Sequence, residues 1–458
     1  MECYFDAIII GAGQAGPSLA GRLTKAGWTV ALVERKLLGG TCVNVGCTPT
    51  KTMVASADAA HKARSGELYG FNSPQIEVNL AKVKARADVV VGNSRAGLEQ
   101  WLGGMNGCTV YRGAASFESP TQISVNGHFL NAPHIFLNVG ARPAKPAWPG
   151  VDHIPYLTSS TILELTETPE HLIVIGGSYI GLEFAQMFRR FGSQVTVIER
   201  SPRIVMHEDE DVSACVQGFL EGEGIQFRLK AECIELKPSA KGVSAQVNCD
   251  EGDPAIEGTH VLLAVGRVPN TDDLGTDKAG IALDSRGYVV VDDQLRTSVS
   301  GIWAMGDCNG KGAFTHTAYN DFEIVAANLL DSDPRKVSDR IPCHALYVDP
   351  PLAQIGMTEA QVRASGRPAL MGVRPMSKVG RAVEKGEAVG FIKVLVDAAT
   401  DHILGASIIG PGADEAIHCI LTAMYSGQGA SLIRRSVHIH PTVAELIPTT
   451  FQELKPLA

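Results

Sequence analysis

Two short apolar runs, Ala7-Ile8-Ile9-Ile10 and Leu172-Ile173-Val174-Ile175, each give way to a glycine cluster and then to a helical pattern. Short continuous apolar runs bounded by turn residues mark strands buried on both faces. The clusters read Gly11-Ala-Gly13-Gln-Ala-Gly16 and Gly176-Gly-Ser178-Tyr179-Ile-Gly181. A second apolar run then ends in an acid, Val30 to Val33 before Glu34 and Val195 to Ile198 before Glu199. The interval from Gly11 to Glu34 equals that from Gly176 to Glu199. Matched spacing across loop and acid predicts an α/β fold with two Rossmann-like dinucleotide-binding units.

The chemistry of such a loop is specific. The first glycine permits a tight turn, the second lets backbone N–H groups approach a pyrophosphate, and the third lets helix and strand pack closely. The helix N-terminus presents partial positive charge to the phosphates. The acid is then expected to accept hydrogen bonds from an adenosine ribose. Two copies imply two dinucleotides, although Ser178 stands where the second copy would have its middle glycine.

Two further matching stretches, Asn138-Val-Gly140-Ala-Arg142-Pro143 and Val265-Gly266-Arg267-Val-Pro269-Asn270, flank the second unit. Glycine–proline clusters of this kind mark chain crossings. They predict a second unit (147–271) inserted into the first (1–146 and 272–333). From 334 to 458 the pattern changes. Strand-like runs at 390–396 and 403–409, then a helical pattern after Asp414, predict an α+β C-terminal domain.

The length of 458 residues suits about three domains. A formal charge of -9 argues against non-specific nucleic-acid binding. Glu2 and Asp6 stand where a secretory leader would be basic, and no run approaches the roughly 18 apolar residues of a membrane span. A cytoplasmic protein, with no membrane partner and mostly free thiols among its ten cysteines, is expected.

Two of those cysteines are spaced for chemistry, in Gly39-Gly40-Thr41-Cys42-Val-Asn-Val-Gly46-Cys47-Thr48-Pro49-Thr50-Lys51. In a regular helix, residues five apart lie roughly 8–9 Å apart, whereas a disulfide wants about 4.4–6.8 Å. Cys42 and Cys47 can therefore pair only where the helix is distorted, and Gly46 and Pro49 supply the means. A strained, accessible disulfide is readily reduced. Zinc binding and two unrelated buried thiols are the competing readings. Zinc needs a second Cys or His pair, and none is nearby in sequence.

This stretch resembles the active-site signature of the class I pyridine nucleotide–disulfide oxidoreductases, among them dihydrolipoamide dehydrogenase, glutathione reductase and mercuric reductase. The resemblance covers essentially the whole chain. It implies FAD at the first glycine loop, with Gly11, Gly13, Gly16, Glu34, Gly40, Thr41, Lys51, Gly140, Asp307 and Ala318 as its contacts. It implies NADH or NADPH at the second, with Gly176, Ser178, Tyr179, Gly181, Glu183, Glu199, Arg200 and Gly266. By the same resemblance Cys42 is the interchange thiol, Cys47 the thiolate against the flavin, and Lys51 a cation beside it. Glu183 pairs with Lys51 and keeps it charged although buried, and Tyr179 covers the flavin until nicotinamide displaces it. Asp321 stands where many relatives carry Glu. Glu199 favours NADH, while Arg200 and Arg203 could hold a 2′-phosphate.

His440-Pro441-Thr442-Val443-Ala444-Glu445 resembles the His–Glu pair that relatives lend across a two-fold dimer as a general acid–base. The resemblance implies a homodimer with shared active sites, and the motif itself suits Pro441 at the first position of a helix and Glu445 in its first turn or just beyond. No resident metal is expected. Neither His438 with His440 nor Cys343 with His344 looks like a ligand pair, since the side chains of the adjacent Cys343 and His344 should diverge.

The stretches 48–52 and 349–359 are similar to mercuric-reductase-like proteins and to copper(II) reductases of reactive-chlorine resistance. The expected function is passage of electrons from NAD(P)H through flavin and Cys42–Cys47 to a small-molecule or metal-ion acceptor. A mercuric reductase proper would end in a cysteine pair, but no cysteine follows Cys419. A dihydrolipoamide dehydrogenase is the alternative, and a non-enzymatic flavoprotein redox sensor is a third reading.

Overall fold

The computed structural model describes residues 1–73, 75–248 and 252–457. Its first sheet is parallel, with strands in the order Ile302–Ala304, His134–Leu137, Ala7–Ile10, Val30–Glu34, Cys108–Arg112. Every residue of Ala7–Ile10 and Val30–Glu34 is buried, as a parallel sheet covered on both faces requires. Helix Ala15–Lys25 makes the crossover between them.

The second sheet repeats this plan, with Gln226–Arg228, Gln194–Ile198, His171–Ile175 and His260–Leu263 in parallel order and helix Tyr179–Phe191 as the crossover. All its strands fall in sequence between His134–Leu137 and Ile302–Ala304, so the second unit is inserted into the first. The chain crossings pair with each other: Ala141–Pro143 runs antiparallel to Arg267–Pro269. The sequence reading did not resolve the two smaller sheets, one built on Glu232–Ser239 and Gly242–Asn248, the other on His128–Asn131 and Gln122–Val125.

The C-terminal sheet is antiparallel, in the order Cys343–Leu346, Leu352–Gly356, Ile403–Ile409, Phe391–Asp397, Ala369–Pro375, Lys455–Pro456. Helix His418–Tyr425 falls in the stretch where helical patterning was expected. No helix among the described residues is long and apolar enough to cross a membrane.

One apolar cluster runs from Met53 through Leu182 and Phe188 to Leu346 and Ile409, joining the cysteine-bearing helix to both other sheets. Two buried cations reinforce the joint. Lys393, 1% exposed, sits among Asp209 (2.9 Å), Asp211 (2.7 Å) and Glu359 (3.3 Å). Its ammonium occupies the place a metal ion would take in that acidic group. Arg190 likewise binds Asp58 (2.5 Å), Glu223 (2.7 Å) and Asp349 (2.9 Å). Buried charges persist only when paired and hydrogen-bonded, and these are.

Candidate active site

The predicted helix distortion lies at Gly46. Helix Gly40–Val45 ends there, at φ −138° and ψ −117°, and helix Cys47–Arg64 begins one residue later. That backbone conformation lies outside the ordinary α and β regions, and a Cβ on Gly46 would meet the carbonyl oxygen of Thr41 at 2.8 Å. The break turns Cys42 and Cys47 toward each other as free, hydrogen-bonded thiols.

The two sulfurs differ in charge state. The hydrogen bond from Cys42 brings Cys47 down to about 6, helped by the Thr315 hydroxyl 3.1 Å away and by the charge of Lys51, against the upward push of burial. The same bond, with burial, pushes the Cys42 thiol up. Thr315 is the first residue of helix Thr315–Ala326, whose N-terminal partial charge also favours a thiolate. Cys47 is therefore the thiolate of the pair and Cys42 the thiol.

Lys51 Nζ lies 2.6 Å from Glu183 Oε2 and 4.6 Å from the ring centroid of Tyr347. The Lys51 side chain is 34% exposed because it faces a cavity, and the buried partner is Glu183, at 8%.

That cavity is large, about 1870 Å³, and the cysteine pair opens into it together with both glycine loops. Its lining includes Gly11, Gly13, Glu34, Gly40, Thr41, Gly140, Asp307 and Ala318 on one side. Gly176, Ser178, Tyr179, Glu199, Arg200 and Gly266 line the other. A pocket for one small ligand spans roughly 300–1,000 Å³, so this one has room for two dinucleotides. Arg267 lines it with a buried Nε that has no hydrogen-bond partner among the described residues. Its nearest anion is the Asp307 carboxylate at 3.7 Å, beyond hydrogen-bond reach, so the guanidinium is a cation on the wall that suits an anionic ligand. Gly16 and Gly181 lie outside the lining and act in packing: a Cβ on either would collide with the carbonyl oxygen of Gly11 or Gly176, at 2.2 and 2.0 Å.

The two acids are also tied to the backbone. Glu34 accepts the N–H groups of Ala12 (2.8 Å) and Lys36 (2.7 Å), and Glu199 accepts those of Gly177 and Ser201 (both 2.8 Å). Each carboxylate braces its own glycine loop and the turn just beyond the acid, and both line the cavity. Arg203 is also committed elsewhere, donating to the carbonyl of Glu208 at 2.6 Å.

Asp307 faces the cavity, and burial raises its carboxyl against the pull of Arg267, 3.7 Å away. Asp321 does not reach the cavity. It is 2% exposed and accepts from the Gly306 N–H (2.8 Å), Asn309 Nδ2 (2.9 Å) and the Arg340 guanidinium. Its role is to hold the turn that carries Asp307.

His440 and Glu445 stand apart from this cavity within the chain, on the surface. Nδ1 of His440 lies 2.8 Å from Oε2 of Glu445, and the histidine side chain is 81% exposed. The expected helix start at Pro441 is corrected. The His440–Pro441 bond is cis, and helical structure begins at Ala444–Leu446, followed by Ile447–Gln452. Val443 takes the capping position, and Thr442 just before it accepts the Glu445 N–H at 3.2 Å. Cys343 and His344 do diverge, as neighbours on a strand must, and His344 reaches Glu208 at 2.6 Å.

Sequence reasoning missed Thr315, Tyr347, Glu208 and His344. A threonine opening a helix carries no signal of which distant thiol it meets. Tyr347, just after strand Cys343–Leu346, comes close to Lys51 only through the tertiary fold.

Residues 5–321 match the model of the family "Pyridine nucleotide-disulphide oxidoreductase", and residues 343–451 match that family's dimerisation domain. The chain is 34% identical over 460 residues to the probable pyridine nucleotide-disulfide oxidoreductase RclA of Escherichia coli (strain K12), covering 98% of this chain and 99% of the relative. It is 33% identical over 463 residues to a dihydrolipoyl dehydrogenase of Cupriavidus necator, covering 98% and 97%. It is 31% identical over 454 residues to a mercuric reductase of Streptomyces lividans, covering 98% and 96%. A solved structure described as the Cu(II) complex of HOCl-induced flavoprotein disulfide reductase RclA from Escherichia coli matches with a TM-score of 0.90 at 33% identity, covering 98% of this chain and 99% of that one.

Proposed function

This chain belongs to the pyridine nucleotide-disulphide oxidoreductase family, and from that premise we propose that it carries electrons from NADH, through FAD, to Cys42–Cys47 and on to a thiophilic metal ion. It is a flavin-dependent NAD(P)H oxidoreductase and a homodimer. FAD, when bound, supplies the two-electron relay between nicotinamide and disulfide. The observation that carries the proposal is the Cys47 thiolate, set beside Cys42, Thr315 and Lys51 in one cavity with both glycine loops.

The roles divide as follows. Gly11, Gly13, Glu34, Gly40, Thr41, Gly140, Asp307 and Ala318 hold FAD. Gly176, Ser178, Glu199, Arg200 and Gly266 hold the nicotinamide nucleotide. Lys51, pinned by Glu183, places its positive charge beside the flavin and Cys47. Cys42 meets the acceptor. Loss of two electrons from the Cys47 thiolate and the Cys42 thiol closes one S–S bond and frees one proton, reducing two Cu(II) ions to Cu(I) or one two-electron acceptor. The reading assigns FAD to residues 1–146 and 272–333, the nicotinamide nucleotide to 147–271, and the dimer contact to 334–458.

NADH is favoured over NADPH because the Glu199 carboxylate faces the ribose position while Arg203 is committed to a backbone carbonyl. Soft thiolates suit a soft ion, and the similarity to a chain described as a Cu(II) complex supports copper as the acceptor. A small disulfide is the second reading. The His440–Glu445 pair, 2.8 Å apart, favours it, lent across the dimer as the base for Cys42.

Anaerobic titration with NADH and NADPH in turn, followed by Cu(II), Hg(II) and lipoamide as acceptors, tests the proposal. NADH should bleach the flavin and Cu(II) should restore it. Fast lipoamide turnover with inert Cu(II) would transfer the assignment to the disulfide.

A further inference from the structure

Glu208 is a buried carboxylate that the mechanism above leaves unused. The residue is 2% exposed. Its Oε1 accepts the Tyr179 hydroxyl at 2.6 Å, and Nε2 of His344 lies 2.6 Å from the same oxygen. Its Oε2 is buried with no hydrogen-bond partner among the described residues. Tyr179 lines the cavity, whereas Glu208 and His344 grip it from behind. The Tyr179 ring packs edge-on against His344 (5.3 Å, 65°) and Phe314 (6.3 Å, 70°), and Phe314 precedes the threonine that bonds Cys47. Tyr179 thus bridges the space between the second glycine loop and the cysteine pair.

The two anchors are rigid. His344 lies on strand Cys343–Leu346, paired along its length with Leu352–Gly356. Glu208 ends a segment tied back to the second glycine loop: the Val205 N–H donates to the Gly177 carbonyl at 2.9 Å, and Arg203 clamps the Glu208 carbonyl. Val205 holds φ +40°, a left-handed conformation that a β-branched residue keeps only when its surroundings enforce it. The movable member is therefore the Tyr179 side chain.

We infer that Glu208 and His344 are positioning residues that latch Tyr179 across the route of the nicotinamide, with opposite effects on its entry. The inference rests on the second loop being the nicotinamide nucleotide site. Entry breaks the Tyr179–Glu208 bond, so Glu208 opposes opening. Nε2 of His344 also lies 3.1 Å from the Tyr179 hydroxyl, but with both protons directed at the closer Oε1 that contact adds little to the latch. His344 supports opening, because Oε1 keeps the imidazole as a partner when the hydroxyl leaves. Without His344, opening would strand a buried carboxylate with both oxygens unsatisfied.

The test is nucleotide affinity in the FAD-loaded protein, measured by calorimetric titration with NAD+ and by anaerobic stopped-flow with NADH. Glu208→Gln and Tyr179→Phe should each tighten binding by about tenfold or more, the worth of one hydrogen bond to a charged group. His344→Ala should weaken binding by a similar factor, and His344→Ala in the Tyr179→Phe background should not. A general packing defect would move all variants the same way, and that result overturns the latch. If Glu208→Gln does not fold, Tyr179→Phe against His344→Ala carries the same contrast. A wild type that binds neither NAD+ nor NADH sinks the functional reading together with the latch. Binding without the opposed signs sinks the latch alone.

Discussion

The ammonium of Lys51 is held 2.6 Å from Oε2 of Glu183, whose Oε1 takes the backbone N–H of Tyr347 at 3.0 Å. This pairing fixes the direction in which the Lys51 charge acts, and that charge lowers the Cys47 thiol. Lys51→Met should raise the Cys47 ionisation midpoint, by less than removal of the Cys42 or Thr315 hydrogen bond does. Glu183→Gln, which frees the lysine but keeps its charge, should raise it less. Titrating thiolate absorbance in the reduced protein measures both, and equal shifts would remove Glu183 from the account.

The midpoint of Cys47 itself sets a pH window. A group lowered to about 6 stays thiolate above that value and takes up a proton as the pH falls through it. Two-electron reduction should give a long-wavelength thiolate–flavin absorbance that is full at neutral pH and half lost near pH 6. Cys47→Ser should lose the band and retain FAD. A band unchanged in that variant would reverse the assignment of the two sulfurs.

Nucleotide preference has an unusual test, because Glu199 holds Gly177 and Ser201 as well as lining the cavity. Removing it should not simply admit NADPH. Glu199→Ala frees two loop N–H groups, each bond worth about 1.5–3 kcal/mol when the acceptor is charged. The expected result is a lower kcat/KM for both nucleotides. A selective gain with NADPH would count against the bracing role.

The His440–Glu445 pair should separate the two acceptors. General acid–base help typically contributes 10²–10⁴-fold. His440→Gln should cost roughly that much with lipoamide and much less with Cu(II), which needs no proton delivered. Equal losses with both would mean that the histidine supports the dimer and not the chemistry.

Lys393 makes a stability prediction. Its replacement by Met leaves Asp209, Asp211 and Glu359 facing one another without their cation. Breaking a buried pair from one side costs about 3–5 kcal/mol. A fall of several degrees in the thermal unfolding midpoint is expected, and an unchanged midpoint would show that water satisfies the three carboxylates.

Much of this molecule was legible in the chain because its signals are local. Both glycine loops, their flanking strands and the break at Gly46 depend on residues a few positions apart, and spacing reports them directly. Asp321 shows the limit. It stands where many relatives carry Glu, and only the fold reveals that its carboxylate turns back to hold Gly306 and Asn309. Glu34 and Glu199 stood at the expected positions, but their hydrogen bonds to their own loops follow from side-chain direction, which spacing does not encode. The partnership of Tyr179, Glu208 and His344 joins three elements distant in sequence and had no pattern to betray it.

His440 projects into solvent beside Val437, which is fully exposed, and Ile439, at 80%. On the proposed reading, in which His440 serves the partner subunit as a base, turnover is tied to assembly. Specific activity should therefore fall on dilution toward the dissociation constant of the pair, as mass action demands. Chains carrying only Cys42→Ser should recover disulfide turnover when mixed with chains carrying only His440→Gln, since each mixed dimer rebuilds one whole centre.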